Sequence, residues 1–326
     1  MELINQFYRD FESHLNQHSI VGNPISLYEP ANYILSLGGK RLRPVFALMG
    51  CYLYKGSSTE AMNAAMGVEV FHNFTLLHDD IMDNATLRRG KPTVHIQYNT
   101  NAAILTGDVM MIKAYQYILD YEEPLLVKKL MEIFNKMAFE VCEGQQLDMD
   151  FENRNDVIIQ DYLQMITWKT SVLLAASIQL GALIGGADES NQKHIYEFAK
   201  NFGIAFQLQD DILDTFGDPD SVGKKIGGDI LQNKKTYLYL KSLELADVYQ
   251  KSILTQYYST RDFENSQEKI DTVTSIFKDL YVTNYAEQLI SAYKDLSISH
   301  LMACDIDNND KSAISAYIEK MIFRAQ

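Results

Sequence analysis

The chain has 326 residues, of which 47% are hydrophobic and 22% charged, so it can bury a large core and is not an intrinsically disordered chain. Its formal net charge of −14 excludes a general electrostatic attraction to nucleic acid or to an anionic membrane surface. An anionic substrate would therefore have to be held by local cations or by a metal ion.

The spacing of prolines and apolar residues predicts an all-α fold. Only 6 prolines occur, and none lies between Pro124 and Pro219 or after Pro219. Apolar residues recur at helical spacing, as in the run Ile118, Tyr121, Leu125, Leu126 and Leu130. No linker or low-complexity tract divides the chain, so we expect one large helical domain over residues 1–326.

The cysteines and the N-terminal segment favour a cytoplasmic location. Cys51, Cys142 and Cys304 are odd in number and lack the spacing of metal ligands. The segment "MELINQFYRDFESH" lacks the apolar core of a signal peptide. We therefore expect reduced thiols in a reducing compartment.

In chain order, the first notable stretch is a basic one, "GGKRLRP" at residues 38–44, which contains Lys40, Arg41 and Arg43. Arginine offers forked donors suited to phosphate oxygens, and lysine adds a mobile point charge. The alternative is that the two glycines end a helix and the cations are solvated.

The next stretch, "LLHDDIMDN" at residues 76–84, places aspartates in apolar surroundings. Asp79 and Asp83 are four residues apart and so share one face of a helix, where their charges repel. Carboxylates in such surroundings are costly unless they are paired or bind a metal, and oxygen-only ligands favour Mg²⁺. The adjoining "LRRGKPTVH" supplies Arg88 and Arg89.

A short "WKT" stretch with Lys169 and Thr170 precedes a strongly apolar segment, "SVLLAASIQLGALIGGA", at residues 171–187. That segment is interrupted by polar residues and falls short of the ~20 apolar residues that a membrane span needs. Its small residues suit close packing, so we expect a core helix and no stable membrane insertion.

The aspartate pattern of "HDDIMDNA" at residues 78–85 returns as "QDDILDTF" at residues 209–216, with Asp210, Asp211 and Asp214. A single copy is as consistent with a solvated helix face as with a metal site, but two copies in apolar contexts favour metal binding. The segments "GKKIGGD" and "NKKT" follow with Lys224 and Lys234. Carboxylates, Mg²⁺ and basic clusters together are typical of a pocket for diphosphate groups.

An acidic stretch near the C-terminus, "DIDNND" at residues 305–310, suggests a calcium loop but lacks its pattern. Asp310 stands where an EF-hand needs glycine, and Ala316 stands where it needs glutamate. We expect a junction between two helices instead.

The ordered blocks of the chain resemble those of the trans-isoprenyl diphosphate synthases, the farnesyl and geranylgeranyl diphosphate synthase group of polyprenyl synthetases. The blocks, within residues 38–236, are "GGKRLRP", "LLHDDIMDNATLRRGKPTVH", "EGQQLDMDF", "WKT", "FQLQDDILDTFGD" and "GKKIGGDILQNKKT". The resemblance implies a homodimeric all-α helical bundle with a central active-site cavity. It also implies condensation of isopentenyl diphosphate with dimethylallyl, geranyl or farnesyl diphosphate.

The resemblance also implies roles for individual residues. Mg²⁺, as three ions with substrate bound, would be ligated by Asp79, Asp83 and Asp210, supported by Asp80, Asp211 and Asp214. The residues implied to act in catalysis are Asp79, Asp80, Asp83, Arg88, Lys169, Asp210, Asp211 and Lys224. The allylic diphosphate would be bound by Arg88, Lys169, Thr170, Gln207, Lys224 and Lys234. The isopentenyl diphosphate would be bound by Lys40, Arg43, His72 and Arg89. Without the resemblance, a lone histidine on an apolar face such as His72 is more often a satisfied core residue.

The residues just before Asp79 predict the length of the product. Thr75 lies about one turn below Asp79 on the same helix face, and Phe74 lies ~7.5 Å along the axis at 1.5 Å per residue. An aromatic residue followed by a small one resembles short-chain geranylgeranyl synthases, whereas farnesyl synthases usually have two adjacent aromatics. We therefore expect a product of twenty carbons, with fifteen carbons as the alternative.

Two other classes of protein remain open at this point. A class I terpene cyclase is also all-α with a DDxxD motif, but its second metal motif normally mixes Asn, Ser or Thr, and Glu. A non-catalytic helical partner of a synthase is disfavoured by the intact acidic and basic motifs. The chain departs from the family pattern at Gly228, where a basic residue is common, and at Asn233, where glycine is usual.

Overall fold

The computed structural model describes residues 2–217, 226–259 and 265–323 and is 78% helical, which confirms the all-α prediction. The strands in those ranges are β1 (Leu87–Arg88) and β2 (Lys91–Pro92), which pair as an antiparallel hairpin. A π-helical turn, Thr167–Ser171, joins the eighth and ninth helices. The helices are α1 (Glu2–Gln17), α2 (Ile25–Ser36), α3 (Leu42–Leu53), α4 (Met62–Met82), α5 (Val94–Gln97), α6 (Thr100–Leu119), α7 (Pro124–Glu152), α8 (Ile159–Ile166), α9 (Val172–Ile184), α10 (Glu189–Phe216), α11 (Gly228–Leu231), α12 (Tyr237–Leu245), α13 (Val248–Tyr257), α14 (Ser266–Asp279), α15 (Val282–Ala303) and α16 (Asn308–Ile322).

Two junctions between helices lie in stretches for which the sequence made a prediction. The apolar run from Ile118 to Leu130 is not one helix, because α6 ends at Leu119 and Pro124 begins α7. Proline suits the first position of a helix, where its missing N–H is not needed. The acidic stretch after Ala303 lies where α15 gives way to α16, so the predicted junction is confirmed.

The chain divides into two compact units. Unit 1 comprises Met1–Met137, Leu173–Tyr196 and Ala303–Lys311. Unit 2 comprises Ala138–Val172, Glu197–Met302 and Ser312–Gln326. The expectation of one domain stays a prediction.

The core of unit 1 is built around α4, which packs along α6 and against α3. Every residue of α4 from Ala64 to Phe71 is buried. Helices α3 and α9 also approach closely, since a Cβ added at Gly50 would lie 2.2 Å from the Ile178 carbonyl oxygen and one at Gly181 would lie 1.9 Å from that of Ala47. Glycine is therefore required at both crossing points.

The apolar segment around α9 belongs to a longer helical stretch than the sequence suggested. Within the described residues, Ile159–Ile184 is the one helix that is long and apolar enough to cross a membrane by length and composition. The length argument against a span is therefore wrong. Within its most apolar window, 67% is buried inside the protein, as expected of a core helix.

Unit 2 positions the second aspartate repeat. Its part of α10 carries Phe198, Phe202 and Leu208, which are all buried, and the repeat occupies the last two turns of the same helix. The second half of α7 and the stretch of α8 with the π-helical turn supply the other polar side chains described below.

Candidate active site

The first aspartate repeat lies at the C-terminal end of α4. Asp79 and Asp80 are in its last turn, and Asp83 caps it by donating its N–H to the Asp79 carbonyl oxygen at 2.8 Å. The C-terminal end of a helix carries a partial negative charge, which adds to that of the carboxylates. This end of α4 therefore attracts cations.

One of these cations is supplied by the hairpin that follows. Arg88 donates from Nε and Nη2 to the two carboxylate oxygens of Asp80, each at 2.7 Å. Asp80 is only 2% exposed; burial raises its pKa, and the Arg88 guanidinium opposes that rise. Arg88 therefore neutralises the inner carboxylate, while Asp79 and Asp83 are half-buried.

Three of the four residues predicted to bind isopentenyl diphosphate come together in unit 1. Arg43 Nη1 lies 3.1 Å from His72 Nε2, and because a guanidinium can only donate, Nε2 must accept and the neutral ring carries its proton on Nδ1. Burial and the nearby arginines, Arg43 and Arg89 foremost, hold the pKa of His72 well below its usual value. His72 is therefore a neutral group within a cationic cluster.

The donors of this cluster are not used up within the protein. Arg43 Nε is buried without a hydrogen-bond partner in the described part of the chain. Burial lowers the pKa of Arg43 to about 10, so it stays protonated at neutral pH. A buried donor without an acceptor is costly unless a ligand satisfies it, and the charge here selects an anion.

The three cations of "GGKRLRP" have different environments. Lys40 is exposed. Arg41 is 4% exposed and donates to Glu12 and Glu69, each at 2.6 Å, and to the Leu35 carbonyl oxygen at 2.7 Å. Arg41 is therefore an internal structural cation, whereas Arg43 belongs to the cluster with His72.

The glycine before Lys40 explains how Arg89 reaches this cluster. A Cβ added at Gly39 would lie 2.8 Å from the Arg89 guanidinium, and Gly39 has a φ of +140°. Only glycine tolerates both the backbone conformation and the close approach. The loop before α3 therefore packs under the hairpin arginine.

Phe74 and Thr75, the residues predicted to limit product length, are held by neighbours in unit 1. The Phe74 ring is 7% exposed and packs edge-on against Phe71 at 5.4 Å and against His78 at 4.9 Å between ring centroids. Thr75 Oγ1 donates to the His72 carbonyl oxygen at 2.8 Å. Phe74 is thus a fixed ring.

In unit 2, Asp211 lies at the centre of a hydrogen-bonded network. It accepts from the Tyr162 hydroxyl at 2.5 Å and from Gln207 Nε2 at 3.0 Å, and Gln207 Oε1 accepts from Thr170 Oγ1 at 3.2 Å. Burial, and then the charges of Asp210 and Asp214, raise the pKa of Asp211. The network fixes the base of the repeat, and Asp210 is half-buried beside it.

Asp214 stabilises the start of the segment that carries Lys234. Its carboxylate accepts the Asp229 N–H at 3.0 Å, and its carbonyl oxygen accepts the Gly227 N–H at 2.7 Å. A Cβ at Gly228 would lie 3.1 Å from Asp214 Oδ1, so a larger residue there would crowd this carboxylate. Asp214 therefore acts as a cap for α11.

Lys169 and Lys234 meet at one carboxylate, Asp148, for which the sequence motifs predicted no role. Both ammonium groups donate to Asp148 Oδ2 at 2.7 Å. Lys169 lies in the π-helical turn, a feature that often marks functional sites. The predicted Lys224 lies outside the described residues.

The donor set fits Mg²⁺. The described residues contain no group of three or more His, Cys, Asp or Glu side chains that could hold a metal by themselves. Mg²⁺ takes one or two protein carboxylates and completes its octahedron with water and substrate phosphates. The carboxylates at the end of α4 in unit 1 suit Mg²⁺ bound together with a diphosphate, and so, taken by themselves, do those at the end of α10 in unit 2.

Four residues with clear roles in these networks were missed from the sequence. Arg41 looked like any other surface cation, and Tyr162 lies in a stretch without a recognisable motif. Asp229 lies within the quoted block "GKKIGGDILQNKKT", in which only the lysines were given roles. Asp148 lies within the quoted block "EGQQLDMDF". The apolar residues on either side of it, Leu147 and Met149, were the signal that the sequence offered.

Comparisons of the sequence and of the structure with known proteins agree on one family. The family model described as polyprenyl synthetase matches residues 24–277. The chain is 36% identical over 307 residues to the geranylgeranyl diphosphate synthase of Sulfolobus acidocaldarius, covering 92% of each chain. It is 37% identical over 279 residues to that of Methanosarcina mazei, covering 84% of each. A crystal structure of a geranylgeranyl pyrophosphate synthase matches with a TM-score of 0.94 and 43% identity over 99% of both chains.

Proposed function

The chain belongs to the polyprenyl synthetase family, and on that premise we propose that it is a short-chain trans-prenyltransferase that makes geranylgeranyl diphosphate. It joins isopentenyl diphosphate to dimethylallyl, geranyl or farnesyl diphosphate. Farnesyl diphosphate is the alternative product.

The observation that carries the proposal is the cationic cluster of Arg43, His72 and Arg89. A terpene cyclase ionises one diphosphate and needs one diphosphate site, which aspartates with Mg²⁺ provide. The buried, unsatisfied guanidinium donor of this cluster supports a second anion site in unit 1, apart from the aspartates. Two diphosphate sites suit a condensation between two diphosphates.

The direct experiment is incubation of the purified chain with Mg²⁺, isopentenyl diphosphate and each allylic diphosphate in turn, followed by sizing of the dephosphorylated products. We expect linear alcohols that are mainly of twenty carbons. Cyclic hydrocarbons formed without isopentenyl diphosphate would identify a cyclase. No turnover by the purified chain would identify a partner subunit.

The residue roles in this proposal follow the motifs. Asp79, Asp83 and Asp210 would hold Mg²⁺, with Asp80, Asp211 and Asp214 in support. Lys40, Arg43, His72 and Arg89 bind isopentenyl diphosphate. The allylic diphosphate is bound by Arg88, Lys169, Thr170, Gln207, Lys224 and Lys234.

The chemistry needs stabilised charge and exclusion of water. Bound Mg²⁺ supplies Lewis-acid stabilisation of the departing diphosphate. The lysines and Arg88 stabilise the same developing charge, and this eases cleavage of the allylic C–O bond. The isopentenyl double bond attacks the allylic cation, and the released diphosphate accepts the proton that leaves. Apolar walls such as Phe74 exclude water, which would otherwise convert the cation into an alcohol.

Shortening Phe74 should lengthen the product. Phe74→Ala removes the ring that stops the growing hydrocarbon, so we expect main products at least one five-carbon unit longer. Phe74→Leu should give a smaller shift because it fills more of the space. Reversed-phase separation of the dephosphorylated products measures both changes.

The control for Phe74 is Phe323→Ala, because Phe323 is 48% exposed and lies in unit 2. Its product profile should match that of the unchanged protein. Removing a buried ring costs about 3–5 kcal/mol of stability, so the thermal unfolding of each variant is recorded alongside. A folded Phe74→Ala variant with an unchanged product would refute the role of Phe74.

Removal of Arg89 should weaken the binding of isopentenyl diphosphate selectively. Arg89→Ala deletes one charged donor from the cluster with Arg43 and His72, so we expect a KM for isopentenyl diphosphate about 10- to 100-fold higher. The KM for the allylic substrate should change little. Initial rates with each substrate varied in turn give the two constants.

The matched control is Lys91→Ala, which removes a positive charge from the other strand of the same hairpin. If Lys91→Ala raises the KM for isopentenyl diphosphate as much as Arg89→Ala does, the effect is one of general charge and not of a specific contact.

The proposal includes a homodimer and a cytoplasmic location. Leu105, Ile112 and Leu119 are 58%, 57% and 51% exposed and recur every seven residues, so they form one apolar face of α6. A second copy of the chain would cover this face, and light scattering tests the dimer. The three cysteines are free thiols, as in a reducing compartment.

A further inference from the structure

The block "EGQQLDMDF" at the end of α7 contains two aspartates in opposite environments. Asp150 is exposed and accepts a hydrogen bond from Gln146 Nε2 at 2.7 Å. Asp148 is only 7% exposed. Burial of a carboxylate is costly unless charged partners compensate for lost water, so Asp148 requires such partners.

Those partners are two lysines from distant parts of unit 2. Lys169 Nζ and Lys234 Nζ both lie 2.7 Å from the same oxygen, Asp148 Oδ2. One helical turn further on, Glu152 lies 3.4 Å from Lys234 Nζ. One carboxylate oxygen therefore fixes the position of two ammonium groups with respect to each other.

A glycine in the same block makes this arrangement possible. A Cβ added at Gly144 would lie 2.3 Å from the Lys169 backbone nitrogen and 2.7 Å from the Trp168 carbonyl carbon. Helix α7 can therefore touch the backbone of the π-helical turn only with glycine at this position. The contact places Lys169 beside Asp148, one turn along α7.

The charges show why an acid is needed at this point. Two ammonium groups around one point repel each other, and a carboxylate between them offsets that repulsion. Burial alone would raise the pKa of Asp148, but Lys169 and Lys234 hold it below its usual value. Asp148 is therefore ionised at neutral pH, and both lysines can remain charged.

We propose that Asp148 is a positioning residue that sets the Lys169 and Lys234 ammonium groups in place to receive the allylic diphosphate. The inference rests on the proposed function, in which both lysines bind that substrate. An ammonium group has three N–H donors, so the bond from Lys169 to Asp148 leaves donors for phosphate oxygens. Asp148 acts through the lysines and need not touch the substrate.

Asp148→Asn tests this, because it keeps the shape of the side chain and removes its charge. We expect the KM for the allylic diphosphate to rise about 10- to 100-fold, as happens when a residue that orients a metal ligand is removed. The KM for isopentenyl diphosphate should stay unchanged. Calorimetric titration of geranyl diphosphate with Mg²⁺, in the absence of isopentenyl diphosphate, should show the same loss of affinity without any condensation.

Two further variants separate positioning from structure. Asp150→Asn, the matched change two residues away, should leave both KM values and the affinity for geranyl diphosphate unaltered. Glu152→Gln should give a smaller effect than Asp148→Asn, since its contact to Lys234 is longer. The thermal unfolding of every variant shows whether it folds.

Three outcomes would overturn the inference. One is an unchanged or tighter affinity of folded Asp148→Asn for geranyl diphosphate, which would mean that Asp148 competes with the substrate for the lysines. Another is an equal rise in both KM values. The third is an equal effect of Asp150→Asn. Failure of the proposed function looks different, because the unchanged protein would then form no elongated product.

Discussion

Replacing Asp79 or Asp210 with alanine should reduce turnover about a thousandfold or more. Each substitution removes a carboxylate proposed to ligate Mg²⁺ at the end of α4 or α10, and stabilisation of the departing diphosphate depends on that ion. The folded state should not suffer, because each aspartate stands near others of like charge and its removal relieves repulsion. Steady-state rates at saturating substrate measure the loss, and a thermal melt checks the fold.

Acidic residues in α6 and α10 that belong to neither aspartate repeat serve as controls for the two alanine variants. Asp108→Ala alters an exposed acid of α6, and Glu197→Ala alters an acid of α10 that pairs with Lys200. Both should retain full turnover. Raising the Mg²⁺ concentration should recover part of the activity of Asp79→Asn. Turnover near normal in either alanine variant would contradict the metal assignment.

Replacing Arg41 with methionine should destabilise the protein by about 3–5 kcal/mol, the cost of breaking a buried ion pair. Arg41 and Glu69 are 4% and 2% exposed, and the substitution leaves the Glu69 carboxylate buried without its cation. Glu12 loses its 2.6 Å contact with Arg41 as well. Denaturant unfolding followed by circular dichroism should show a lower midpoint.

The matched control is Arg154→Met, which removes an exposed arginine paired with Asp156 and should leave the unfolding midpoint nearly unchanged. The double variant Arg41→Met with Glu69→Gln should recover part of the lost stability, because it removes the unpaired charge. An Arg41→Met midpoint no lower than that of Arg154→Met would show that the buried network contributes nothing.

The sequence predicted the all-α fold and the helical setting of both aspartate repeats. Four-residue spacing of acids in apolar surroundings is a local signal, and it placed Asp79 and Asp210 in the last turns of long helices. The apolar spacing across Pro124 wrongly predicted one continuous helix. Such spacing can continue from one helix into the next when both helices bury an apolar face.

Roles that depend on distant partners could not be predicted. Arg41 and Arg43 are two residues apart, yet one meets Glu12 and Glu69 while the other meets His72. Nothing local distinguishes them, because their partners lie about thirty residues away in the chain. The same holds for Asp148, whose partner Lys234 is 86 residues further on.

The π-helical turn has a consequence for helix phase. Tyr162 and Lys169 are seven residues apart, and in an uninterrupted α-helix they would point almost the same way. Tyr162 instead reaches Asp211 in α10, whereas Lys169 reaches Asp148 in α7. Ser171 Oγ also bonds the carbonyl oxygen of Ile166, five residues back. The π-helical turn contains one residue more than an α-helical turn. Relative to an uninterrupted α-helix, it therefore rotates each later side chain by about 100° around the helix axis. A regular α-helix of the same sequence would instead leave the Lys169 ammonium group on the Tyr162 face, away from its carboxylate.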